Sequence, residues 1–122
     1  MDIKRLILFL FILVGASASH AHQLNNTSEK QLFENYALAM CLASEYTDGD
    51  IYNDAITSLN GYREFSNMPL ESYAKLNAAY EKWRSIPYPS KEGGDINLAR
   101  CIDFQKSKDI SIIFEEFNKS IQ

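Results

Sequence analysis

Apolar residues recur along this chain at helical intervals, and clusters of polar, glycine and proline residues interrupt them. Leu32, Tyr36, Met40 and Ala43 fall at i, i+4, i+8 and i+11, which predicts an amphipathic helix reaching Tyr46. Ser28 followed by Gln31 has the spacing of a capping box at its start, and Cys41 lies beside the stripe. Asp48-Gly49 is a turn signal, and Asp50 is placed to cap a second helix in which Tyr52, Ala55, Ile56, Leu59 and Tyr62 face one way. Gly61 weakens its last turns. Ser66-Asn67-Met68-Pro69 forms the next boundary, with proline suited to a first helical turn. Tyr73, Leu76, Tyr80 and Trp83 then repeat at i, i+3, i+7 and i+10 and predict a third helix, which Pro87-Tyr88-Pro89 stops. After an exposed Ser90-Lys91-Glu92-Gly93-Gly94 loop, Asp95 is placed to cap a fourth helix carrying Cys101. Ser107 is placed to cap a fifth, with Ile110, Ile113, Phe114 and Phe117 on its apolar face. That last break rests on serine alone, without glycine or proline, so one bent helix is the alternative. With no strand-like alternation, the pattern predicts an all-α fold, a compact bundle of about five helices.

The beginning of the chain has a different character. Lys4 and Arg5 precede an unbroken apolar run over residues 6–14, and Gly15-Ala16-Ser17-Ala18-Ser19-His20-Ala21 supplies small residues. That order predicts a secretory signal peptide over residues 1–21, cleaved after Ala18 or Ala21. The apolar run is too short to span a bilayer comfortably, and no basic stop follows it, which argues against an uncleaved anchor. Residues 22–122 then form a single helical domain, exported most simply to a bacterial periplasm and free of the membrane once the signal is removed. Without Asp2, Lys4 and Arg5, the 12 basic and 16 acidic residues become 10 and 15, a net charge of about −5. This argues against nucleic acid as a partner and is compatible with a basic protein. Two cysteines in an oxidising compartment read as a disulfide, with two buried thiols as the alternative. If Cys41 and Cys101 pair, the first mature helix is clamped to the fourth.

The inventory of reactive groups argues against catalysis. A cysteine nucleophile needs a histidine base, yet His20 and His22 both lie at the signal boundary. His22 as a new N-terminal residue would need a second histidine to form a copper brace, and the folded part has none. Asp48, Asp50 and Asp54 resemble a calcium loop only superficially, because glycine is misplaced and Leu59 stands where the bidentate glutamate belongs. Glu45, Glu115 and Glu116 read as helix-surface charges, and no phosphate-binding loop or metal-ligand spacing is present. No catalytic residue, metal or cofactor is therefore expected. The candidate binding surface is the connection over residues 84–94, longer than a bundle requires. Pro87 and Pro89 stiffen it, Tyr88 offers a large amphipathic contact, and Trp83 and Arg84 at its base are hot-spot residue types. The alternative reading places Trp83 and Ile86 in the core and makes the segment a connector.

Asn35-Tyr36, Ala39-Met40-Cys41-Leu42-Ala43, Asp54-Ala55, the stripe ending at Trp83, and Cys101-Ile102-Asp103 followed by Ser107 carry a resemblance that runs from about Gln31 to Phe117. The chain resembles the immunity proteins that protect bacteria against type VI secretion amidase effectors, in particular those paired with papain-like, NlpC-type peptidoglycan amidases. The resemblance implies an all-helical periplasmic homodimer that occludes the toxin's active-site cleft and prevents self or sibling lysis. It places the loop that enters the cleft at residues 88–94, with Arg84, Tyr88, Pro89, Ser90, Lys91 and Glu92 as toxin-binding residues and Pro87 and Pro89 directing them. Cys41 and Cys101 match the family's cysteine positions and would be structural. The rival expectation from another class is a general periplasmic inhibitor or adaptor of a lysozyme or other envelope enzyme.

Overall fold

The computed structural model describes residues 23–121. The expected signal peptide lies outside the described residues. A short 3-10 turn, Gln23–Asn26, leads into five helices: α1 (Glu29–Glu45), α2 (Gly49–Glu64), α3 (Leu70–Trp83), α4 (Asn97–Gln105) and α5 (Lys108–Asn118). Among the described residues there is no strand, and no helix is long and apolar enough to cross a membrane.

Helix α1 is the axis of the bundle, packing against α2, α4 and α5, while α3 closes the far side against α4 and α5. Its N-terminus forms as its sequence suggests: the Gln31 amide donates to Ser28 Oγ at 3.1 Å. The second half of a capping box is absent, because the Gln31 side chain turns along the helix to Asn35 Oδ1 at 2.8 Å. Phe33, Ala37, Met40 and Cys41 of α1 meet Tyr73, Leu76 and Tyr80 of α3, Cys101 and Phe104 of α4, and Ile110, Ile113 and Phe114 of α5. Phe33, at the centre, lies 5.8 Å from the Tyr73 ring and 5.9 Å from that of Phe114, both tilted. Such aromatic contacts add directional preference to the area they bury.

The two cysteines are joined. Cys41 and Cys101 form a disulfide with their Cα atoms 5.5 Å apart, and both side chains are fully buried. The bond fastens α1 to α4, as the one clamp expected between the first and fourth helices.

Three expected caps form differently. Helix α2 begins at Gly49, so Asp48 holds the N-cap position and Asp50 falls in the first turn. Gly49 at φ 81° makes the turn that separates α1 from α2. Helix α4 has Ile96 at its N-cap, because the Asp95 carboxylate is drawn away to Arg100. Ser107 does occupy the N-cap of α5 with extended backbone (φ −71°, ψ 158°), yet its hydroxyl is buried and makes no hydrogen bond among the described residues. That extended residue and Lys106 separate α4 from α5, so the sequence that lacked a breaker still turns there.

Helix α2 contributes nothing to the central cluster. Of its predicted face only Ala55 is fully buried, while Tyr52, Ile56, Leu59 and Tyr62 are half-buried against α1. A carboxylate at the opposite end of α1 fixes the passage from α2 to α3. Glu29 accepts from Ser66 Oγ (2.7 Å), the Asn67 amide (2.9 Å) and Asn67 Nδ2 (3.1 Å), which places Met68 into the core.

Candidate functional site: the connection between α3 and α4

Thirteen residues, 84–96, join α3 to α4, where helices of a bundle are usually joined by about two to eight. They form a small hairpin instead of an irregular loop. The Ile96 amide donates to the Tyr88 carbonyl at 2.7 Å, the Ser90 amide to the Gly94 carbonyl at 2.9 Å, and Pro89 and Asp95 face each other as an antiparallel bridge. At the tip the Gly93 amide donates to the Ser90 carbonyl at 3.3 Å, and the Glu92 amide to Ser90 Oγ at 3.0 Å. Gly93 and Gly94 take φ values of 95° and 76°, which reverse the chain in a way L-residues rarely allow. A Cβ at either would meet open space, so conformation and not crowding selects glycine there.

The residues singled out from the sequence are spread along this hairpin. Arg84 caps the end of α3, exposed, with its guanidinium 3.4 Å from Glu81. Pro89 is exposed on the outgoing arm, Ser90 closes the turn from within, and Lys91 and Glu92 are exposed at the tip. Tyr88 is half-buried and already engaged: its hydroxyl donates to Asp103 Oδ2 at 3.0 Å, and its ring lies 5.3 Å from the Arg100 guanidinium. Desolvation, then the bond to Asp103, raises the hydroxyl's pKa. Tyr88 thus pins the hairpin to α4.

At the base, the two open readings separate. Trp83 belongs with the core: its ring meets Phe104 edge-on at 5.8 Å, and its Nε1–H donates to Asp109 Oδ2 at 2.8 Å. Ile86 is outside, 44 % exposed. Ile96, Leu98 and Ile102 join it, so four of the seven exposed large hydrophobics among the described residues lie in or beside the hairpin.

The residue that sequence reading missed is Arg100, which is 2 % exposed. Its Nη1 donates to Glu45 Oε1 and Asn97 Oδ1, each at 3.2 Å, and its Nη2 to the Ile86 carbonyl at 3.1 Å and Asp95 Oδ2 at 3.0 Å. Burial opposes the guanidinium charge most strongly, but Asp95 and Glu45 together outweigh it and the pKa is raised. Glu45, expected as a surface charge, is therefore a buried partner whose side chain is only 15 % exposed.

Glu45 also accepts the Tyr80 hydroxyl in a short hydrogen bond. Desolvation first, and this bond second, hold the Tyr80 pKa far above the ordinary tyrosine value near 10. From about pH 10 upward the unfolded chain loses this proton while the native chain keeps it, so native stability falls as pH rises. One such proton contributes up to about 1.4 kcal/mol per pH unit. Guanidinium unfolding between pH 9 and 11 is expected to show a shallower alkaline decline for Tyr80→Phe than for the parent. Equal slopes would exclude Tyr80 as the group that holds the proton.

Comparison with known proteins matches this arrangement to one family. No curated protein matches the sequence. Among solved structures, a chain from the effector–immunity system Tae4/Tai4 of Salmonella typhimurium is similar at 28 % identity and a TM-score of 0.68, over 74 % of this chain and 89 % of that one. A chain from the Tae4–Tai4 complex of Enterobacter cloacae superposes with a TM-score of 0.68 at 22 % identity, over 75 % of this chain and 93 % of that one. A complex of Salmonella typhimurium Tae4 with Enterobacter cloacae Tai4 gives the same TM-score of 0.68 and 22 % identity. Residues 31–114, which include the disulfide and the hairpin, match the family Tai4, and the chain belongs to that family of type VI secretion system amidase immunity proteins.

Proposed function

We propose that this protein is a periplasmic immunity protein that binds a type VI secreted peptidoglycan amidase and blocks its active-site cleft with the hairpin of residues 88–94. The observation that carries the reading is a preformed, hydrogen-bonded hairpin with Lys91 and Glu92 exposed at its tip, on a chain of the amidase immunity family. A shaped hairpin loses little conformational freedom on docking, so more of its contact energy appears as affinity. Exposed Ile86, Ile96, Leu98 and Ile102 supply apolar contact around it, and the charges at the tip select among amidases. The block is steric: a filled cleft denies the peptide stem access to the toxin's catalytic cysteine. The protein does this as a homodimer, after removal of its signal peptide.

The test is a protection assay in a susceptible host. A cognate amidase effector exported to the periplasm is expected to lyse cells, and co-export of this protein to prevent it. Replacing residues 88–92 with a Gly/Ser linker is expected to abolish protection with the helical circular dichroism retained. Full protection by the linker variant would overturn the assignment of the hairpin. Rescue from a lysozyme, without rescue from the amidase, would favour a general envelope-enzyme inhibitor.

A further inference from the structure

We propose that Arg100 is the positioning residue of the binding hairpin, its buried guanidinium tying both ends of the 84–96 connection to α1 so that the hairpin is set before a partner arrives. The proposal rests on the reading of the hairpin as the amidase-binding element.

The guanidinium divides its work by nitrogen. Nη1 faces the helical frame, Glu45 of α1 and Asn97 of α4, whereas Nη2 faces the connection and grips it at its entrance, the Ile86 carbonyl, and at its exit, Asp95. Its face covers the Tyr88 ring, and Tyr88 reaches on to Asp103 of α4. Entrance, exit and outgoing arm are thus held from one side chain. A planar fork with fixed donor directions can bridge two separated sets of acceptors, whereas an ammonium holds its three donors on one atom and does not span them. A bundle that only had to close would join α3 and α4 by a shorter link and need no buried cation there. Burying an arginine is costly unless carboxylates compensate it, and here one compensating carboxylate, Asp95, belongs to the connection itself and is half exposed. The arrangement therefore spends its second carboxylate on shaping the hairpin.

Two substitutions separate positioning from support of the fold. Arg100→Lys keeps a positive charge beside Glu45 and loses the bridge. Asp95→Ala releases the exit strand and leaves the buried guanidinium paired with Glu45 and the Ile86 carbonyl. In the free protein both are expected to accelerate hydrogen exchange at the Ser90 and Ile96 amides by at least about tenfold, with α1 amides unchanged in Asp95→Ala. When the competent hairpin is only fractionally populated, the apparent Kd for the amidase rises by the inverse of that fraction. Binding is therefore expected to weaken about 10- to 30-fold in step with the loss of protection, and Asp95→Asn, which keeps an acceptor oxygen, to restore part of both.

A lowered melting temperature with unchanged hairpin exchange and unchanged Kd of the folded protein would reduce Arg100 to a structural residue and overturn the proposal. So would exchange that accelerates while Kd stays at the parent value. The Gly/Ser linker variant is run alongside: if it binds the amidase normally, the hairpin reading itself fails. If it does not bind while Arg100→Lys and Asp95→Ala bind as the parent does, only the role given to Arg100 fails.

Discussion

Replacing Cys41 and Cys101 together by alanine is expected to lower unfolding stability by about 4 kcal/mol and the melting temperature by about 20 °C. The bond closes a loop with a sequence separation of 60, and in the chain-entropy description a loop of that length restricts the unfolded chain by roughly that amount. For a domain of about one hundred residues, whose total stability is of order 5–15 kcal/mol, this is a large share. Alanine is the appropriate replacement because both sulfurs are fully buried and a serine hydroxyl would be left without a partner. Guanidinium unfolding of the double variant, and of the parent with and without reductant, measures the effect. A loss below about 1 kcal/mol would mean that the α1–α4 contact is held by packing alone. The same bond sits next to Arg100 in sequence and holds α4 against the helix that carries Glu45. Reduction is therefore expected to act on the hairpin as well as on the core.

How much of this was legible in the sequence depends on how local each determinant is. The stripe from Leu32 to Ala43, the Ser28 cap and the boundary before α3 are written within a few residues and form where expected, although Pro69 takes the N-cap of α3 and not its first turn. The break at Ser107 was also visible, although only as one of two readings. The pairing of Cys41 with Cys101 was one of two readings, disulfide or buried thiols, and the bond forms. Arg100 carried no such signal. Its side chain is buried because Glu45, 55 residues earlier, and the Ile86 carbonyl, 14 residues earlier, converge on it in space. For the same reason Glu45 read as one more surface charge, and Glu29 gave no sign that it would capture Ser66 and Asn67. The hairpin itself was within reach. Gly93-Gly94 between Ser90 and Asp95 is a turn signal with two positions free to adopt positive φ, and reading it only as an exposed loop missed its register.

Phe104→Ala is expected to cost about 3–5 kcal/mol, the range for truncating a buried phenylalanine. Phe104 is fully buried and receives Tyr80 and Trp83 edge-on at 5.7 and 5.8 Å. Phe33→Ala is the matched control. It is equally buried and is expected to lose a similar amount, but its ring contacts are Tyr73 and Phe114, with Trp83 absent from them. The cavity at Phe104 opens beneath the last residue of α3, where the connection begins, and beside the helix that presents Arg100. Side chains around such a cavity relax only in part, and the relaxation falls on Trp83, whose indole otherwise bridges Phe104 and Asp109. Measured at a temperature where both variants are folded, amidase binding is expected to weaken several-fold in Phe104→Ala and to stay near the parent value in Phe33→Ala. Equal weakening would mean that the hairpin responds to global stability. Weakening confined to Phe104→Ala would mean that the α3–α4 corner sets its geometry, because the two variants share the loss of a phenyl ring and differ in where the space opens.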